Sequence, residues 1–120
     1  MGRARLSALD GSFLRVETPT AHMHVAWKGI FEPRDGAPLS VEELRRSIAG
    51  RLRHAPRFRQ RLAFTPGGFA EPVWVDDARF DVAEHVIALA EPGQVLPRAR
   101  FDELCDAVLS LPLARCRALW

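Results

Sequence analysis

The tightest constraint this chain places on its own fold lies at residues 40–54. Ser40 and Glu43 stand at the S-x-x-E spacing of a capping box, in which each side chain satisfies a backbone N–H of the other. Leu39 and Leu44 occupy the two positions of a hydrophobic staple, and Val41, Leu44, Ile48 and Leu52 recur at helical spacing. The spacing predicts a helix whose buried face carries Leu44, Ile48 and Leu52, with Arg46 on the opposite side. The cap is worth roughly 1 kcal/mol, about what Gly50 costs in a helix interior, and Pro56 closes the segment. A second helix is predicted over 98–110, where Phe101, Leu104, Cys105, Val108 and Leu109 keep the i, i+3, i+4, i+7, i+8 pattern until Leu111-Pro112.

Other segments alternate with period two. Over 22–31, Met23, Val25, Trp27 and Phe31 fall on one face with Gly29 as the gap, which predicts a strand. Residues 58–64 and 69–75 read as a hairpin joined by Thr65-Pro66-Gly67-Gly68, and Pro72 places the second strand at an edge or starts it at Val73. Residues 1–21 read as a short helix or turn entering a loop at Pro19, and 82–89 fits strand or helix equally. Glu32-Pro33-Arg34-Asp35-Gly36 and Glu91-Pro92-Gly93 mark turns. Strands interleaved with two main helices predict an α/β unit with a mixed sheet, and 120 residues is at most one domain.

An apolar fraction of 48% and a charged fraction of 27% exclude a disordered chain. Net charge is only +2, so bulk charge names no partner. Cys105 and Cys116 lack the spacing of a disulfide framework or a zinc site and are expected to be reduced. Met1 to Leu14 has no apolar core of a secretory signal, and the longest unbroken apolar run, Val86 to Ala90, is far too short to span a bilayer. A cytoplasmic protein is expected, with peripheral contact to a membrane or lipid inclusion.

Candidate chemistry is sparse. His22 and His24, two apart on the predicted strand, would point the same way. His54 and His85 lie in other segments, no neighbouring carboxylate is evident to complete a ligand set, and no metal site is expected. None of Ser7, Ser12, Ser40, Ser47 and Ser110 sits in a nucleophile elbow. Asp76-Asp77 reads as a strand-ending turn before a general acid/base pair, and Pro66-Gly67-Gly68 is too short for a phosphate loop. The concentrated signal is Arg45, Arg46, Arg51, Arg53, Arg57, Arg59 and Arg61, seven cations in seventeen residues. They fit a solvated face first, then lipid or coenzyme A phosphates, and least of all nucleic acid, because aromatics do not interleave as a base-stacking platform requires.

The order of several local strings reaches further. Leu6-Ser7-Ala8-Leu9-Asp10 with Phe13, then Glu17-Thr18-Pro19 and Met23-His24-Val25, resembles the opening of the bacterial wax ester synthase/diacylglycerol acyltransferase family. Leu52-Arg53, Pro56-Arg57-Phe58-Arg59-Gln60-Arg61-Leu62, Glu71-Pro72-Val73-Trp74-Val75-Asp76-Asp77, Phe80-Asp81 and His85-Val86 resemble the segments that follow. Leu111-Pro112-Leu113, Arg115, Arg117 and Leu119-Trp120 resemble the approach to the family's P-L-W motif, with Ala118 in place of the proline. The resemblance implies part of the N-terminal lobe of a two-lobed, CoA-dependent acyltransferase (chloramphenicol acetyltransferase-like) fold. It implies O-acyl transfer from acyl-CoA, a co-substrate, to diacylglycerol or a long-chain alcohol, giving triacylglycerol or wax ester, with no other cofactor. In the family the general base is the second histidine of H-H-x-x-x-D-G. That motif does not occur in this chain, so no catalytic residue is assigned, no CoA-binding residue is identified, and residues 1–120 are expected to be an inactive N-terminal portion cut before it. The alternative of another class is a small Arg-rich binding module for nucleic acid or anionic lipid.

Overall fold

Short-range signals set the first elements. The computed structural model describes residues 3–120. Ser7 caps helix α1 (Ala8–Val16), its Oγ accepting from the Asp10 backbone N–H at 3.0 Å. Just before it, β1 (Ala4–Arg5) pairs antiparallel with β3 (Val73–Asp76), and β3 pairs with β2 (Gln60–Ala63). The sheet order is β1-β3-β2, so β3 is central, and both of its pairings are antiparallel, which corrects the expected mixed sheet: the strands of the described sheet are joined without a parallel crossover. The hairpin forms as the alternation predicts, with Leu62 opposite Trp74 and Gln60 opposite Asp76. Pro72 precedes the ladder, and the strand starts at Val73, where each residue again has an N–H to donate. Gly67 and Gly68 take φ of +76° and +69° in the connection, a region that glycine enters without Cβ strain. The short helix read within residues 1–21 is α1; only β1 ahead of it departs from that reading, because two residues carry too little alternation to announce a strand.

The described residues divide into two compact units. The first takes in residues up to His24, Leu52–Phe80 and Pro112–Trp120. It holds the sheet, α1 and every buried side chain of the described residues: Leu6, Leu52, Leu62, Ala118 and Gln60. Leu62 is 1% exposed and sits at the centre of this core. Gln60 has its amide satisfied by Asp76 Oδ1 at 2.9 Å across the strand pair. Trp120 donates its indole N–H to the Phe58 carbonyl at 2.8 Å and meets the Phe58 ring edge-on.

The second unit, Val25–Arg51 and Asp81–Leu111, holds α2 (Val41–Arg51) and α3 (Arg98–Leu109). The capping box of α2 forms as predicted: Glu43 N–H donates to Ser40 Oγ at 3.2 Å, and Ser40 N–H donates to Glu43 Oε2 at 2.9 Å. The α-helix ends at Arg51 and tightens into a 3₁₀ turn, Leu52–His54. Its partly covered face is a correction to the sequence reading. Arg45 lies there with Val41 and Ile48, its side chain 22% exposed, while Leu44 is 39% exposed and Leu39 is exposed outright. The cause is a hydrogen bond: Arg45 Nε donates to the Val86 carbonyl at 2.8 Å, drawing the guanidinium inward at the edge of the expected stripe. In α3, Phe101, Leu104 and Cys105 are half-buried, and Val108 and Leu109 are exposed.

The strand predicted over 22–31 does not form. Val25 is 95% exposed and Trp27 81%, and no strand among the described residues pairs with this segment. Alternation prepares a face, but a strand exists only where a neighbour completes its ladder. The shared-face expectation survives locally: the Trp27 and Phe31 rings meet edge-on at 6.3 Å, over Gly29, where a Cβ would lie 2.8 Å from the Trp27 ring.

Candidate functional site

One face of α1 (Asp10, Phe13, Leu14, followed by Glu17) lies along a cavity of about 220 Å³ in the first unit. These positions are spaced three, four and seven apart, so they stack on one side of the helix. Leu62 of β2 and Trp74 of β3, opposite each other in the ladder, line the cavity from the sheet. Leu6, Met23, Leu113 and Leu119 extend the apolar wall, and His24 and Arg115 add polar groups. Apolar walls with a few converging polar groups are the ordinary construction of a small-molecule pocket.

The polar corner is tied to the end of α1. Arg115 Nη2 donates to Glu17 Oε2 at 2.6 Å and to the Leu14 carbonyl at 3.1 Å, covering a terminal carbonyl and placing a cation at the negative end of the helix. The hydrogen bond from Arg115 holds the Glu17 carboxyl below the usual carboxylate range, against the opposing effect of desolvation. Thr18 and Ala21 exchange backbone hydrogen bonds of 2.9 and 3.2 Å, which turns the chain back and returns His22 and His24 to Glu17. The two imidazoles stack at 5.4 Å with planes 18° apart, so they do point the same way, although a turn and not a strand arranges them.

Sequence reasoning missed Glu17 in this group. The available signal was the Glu17-Thr18-Pro19 turn ahead of His22: a fold-back after four residues brings carboxylate and imidazole together. His54 is occupied elsewhere, accepting at Nε2 from Arg53 Nε at 2.9 Å. Asp77 is a turn residue as expected, its carboxylate accepting from the Arg79 N–H at 3.0 Å. Cys105 and Cys116 are free thiols.

The arginine run is divided between the two units. Arg45, Arg46 and Arg51 belong to α2 of the second unit, and Arg53, Arg57, Arg59 and Arg61 to the first. Arg57 lies 4.6 Å over the Trp74 ring and Arg59 5.8 Å from the Phe80 ring, each in cation–π range. Arg61 donates to the Leu62 carbonyl at 3.3 Å. A second cavity, of about 550 Å³, has Arg53 and Arg59 on its wall, but Asp76 and Asp77 line it too and offset their charge.

Residues 6–120 match the wax ester synthase/diacylglycerol acyltransferase catalytic domain, and the chain belongs to that family. It is 38% identical over 118 residues to the probable diacylglycerol O-acyltransferase tgs3 of Mycobacterium tuberculosis H37Rv, across 97% of this chain and 42% of that protein. To the probable diacylglycerol O-acyltransferase tgs1 of the same strain it is 37% identical over 117 residues, across 96% of this chain and 24% of that protein. The chain thus spans less than half the length of these relatives. No solved structure matches it. No helix of the described residues is long and apolar enough to cross a membrane.

Proposed function

We propose that this chain is the N-terminal portion of an acyl-CoA-dependent O-acyltransferase whose acceptor is diacylglycerol or a long-chain alcohol. In this reading residues 1–120 form part of one lobe of a chloramphenicol acetyltransferase-like, two-lobed fold. The cavity beside α1 holds a stretch of the acyl or acceptor chain. Family membership over nearly the whole chain carries the reading, and the apolar wall of Phe13, Leu14, Leu62 and Trp74 supports it, because an alkyl chain is best held by apolar surface released from water. General-base chemistry requires a group within hydrogen-bond reach of the attacking hydroxyl, and the family's histidine motif is not in this sequence. The chain is therefore a binding and positioning part, inactive by itself. In this reading the enzyme is cytoplasmic and meets its lipid substrates in peripheral contact with membranes or lipid inclusions.

Two measurements test this. Replacing the matching segment of tgs3 with residues 6–120 should retain acyl transfer from labelled palmitoyl-CoA to diacylglycerol or hexadecanol, whereas the 120-residue chain alone should give none above a heat-killed control. Within the chimera, Leu14→Asp should cut activity at least about tenfold, since a carboxylate in an apolar site forfeits its hydration. A folded chimera with no transfer, or one indifferent to Leu14→Asp, would refute the assignment.

A further inference from the structure

The fold-back at Thr18–Ala21 gathers a constellation at the polar end of the cavity beside α1. One donor atom from each of Glu17, His22 and His24 lies within 4.8 Å of the other two. His22 Nδ1 stands 3.7 Å from Glu17 Oε1, and the two side chains are only 12% and 18% exposed. A divalent ion bound by imidazole nitrogen and carboxylate oxygen at about 2.0–2.2 Å in tetrahedral geometry sets its donors roughly 3.3–3.5 Å apart. Closing the gap asks for side-chain rotations of about an ångström or so on that geometry, within a short loop that already brings all three together. Two imidazoles and one carboxylate suit zinc among the divalent ions.

The surroundings favour coordination. Arg115 engages Oε2 of Glu17 at 2.6 Å, while Oε1, which accepts from the Met23 N–H at 3.4 Å, faces His22 Nδ1 at 3.7 Å. Outer partners that orient a ligating carboxylate in this way are a regular part of metal sites. The guanidinium also sets a positive charge beside the ion, which argues for moderate affinity.

We propose that Glu17, His22 and His24 form a three-ligand site for a divalent transition ion, with zinc the best fit. The ion closes the loop from the end of α1 to His24 as a clip, and water completes its coordination. The site shares Glu17 and His24 with the wall of the cavity beside α1, and its test reads metal binding alone, without acyl transfer.

The test is calorimetric titration of the chelator-stripped 120-residue chain with zinc chloride, with cobalt(II) absorption as a geometric readout. One ion per chain with a dissociation constant of about micromolar order is expected, with visible cobalt bands of tetrahedral or five-coordinate intensity. His22→Gln and His24→Gln should each weaken binding at least about tenfold. His54→Gln, His85→Gln and the Cys105→Ser/Cys116→Ser double variant should leave it unchanged. X-ray absorption on the zinc-loaded parent, which needs no variant to fold, should give two imidazoles with oxygen completing the shell. Binding no tighter than millimolar, binding indifferent to His22→Gln, or a shell containing sulfur or lacking imidazole would overturn the proposal.

Discussion

The two units of this chain are organised by different physics. The first holds the three-stranded sheet and every buried side chain among the described residues, and long-range partners specify it: β1 with β3, Leu62 with Trp74, Trp120 with Phe58. The second has no buried residue. Its helices stand mostly on local devices, the Ser40–Glu43 box, the Arg100–Glu103 pair at 3.1 Å and the Arg98–Asp102 pair at 3.3 Å, with longer reaches from Lys28 to Asp102 at 2.7 Å and from Arg45 to the Val86 carbonyl at 2.8 Å. Local devices of this kind stabilise by tenths of a kcal/mol to about 1 kcal/mol each. Full burial of one leucine is worth about 1.5–3. The first unit can therefore carry cooperative stability, whereas the second is helical by capping and propensity with little packing beneath it.

The largest test of that contrast is a pair of core and surface deletions. Leu62→Ala should destabilise by roughly 2–5 kcal/mol in denaturant unfolding, because it empties the best-packed position of the sheet. Leu109→Ala, which truncates a side chain 45% exposed, should cost clearly less, about 1 kcal/mol or below. Equal effects would mean that α3 is covered in solution and would dissolve the distinction.

A smaller effect is expected at the α2 cap. Ser40→Ala removes the acceptor for the Glu43 N–H and should cost about 1 kcal/mol of local helix stability. In amide exchange that loss should quicken α2 and leave β2 and β3 unchanged, since the two belong to different units. Quickening of the strands as well would show the units opening together.

The smallest effect concerns acid. Arg115 lowers the Glu17 carboxyl, so its folded pKa lies below its unfolded one, and the pair stabilises above the unfolded value of about 4.3. That contribution is lost as pH falls through the folded pKa. Arg115→Gln should return the Glu17 titration, followed by carboxyl NMR, to the ordinary range. It should also remove this portion of the acid dependence of the unfolding midpoint, at a cost of about 1 kcal/mol at neutral pH, since Arg115 is 37% exposed and solvent screens the pair.

Local signals were legible in the sequence where the structure uses them locally. The α2 capping box, the hairpin around Gly67 and Gly68, the start of β3 at Val73 and the Asp77 turn are each written within a few residues. What could not be read depends on a partner distant in sequence. Nothing near Ala4 announces that it will face Trp74. Nothing in the helical period reveals that Arg45 will be drawn to the Val86 carbonyl, forty-one residues away, and leave Leu44 at the margin. The period-two pattern of 22–31 is present as a pattern and does not become a strand, because pattern does not supply a ladder. The cavity is intermediate: the face of α1 could be drawn from its spacing, but its closure by Leu113, Arg115 and Leu119 could not.

The three tryptophans divide between the units in a way that gives the protein a built-in optical bias. Trp27 of the second unit is in water already, and unfolding will scarcely change the colour of its emission. Trp74, under the Arg57 guanidinium, and Trp120, hydrogen-bonded to Phe58, are half-buried in the first unit and will shift to the red as they meet solvent. Intrinsic fluorescence thus watches the sheet and is nearly blind to α2 and α3, so a single sharp spectral transition would report the melting of one unit while saying nothing about the other.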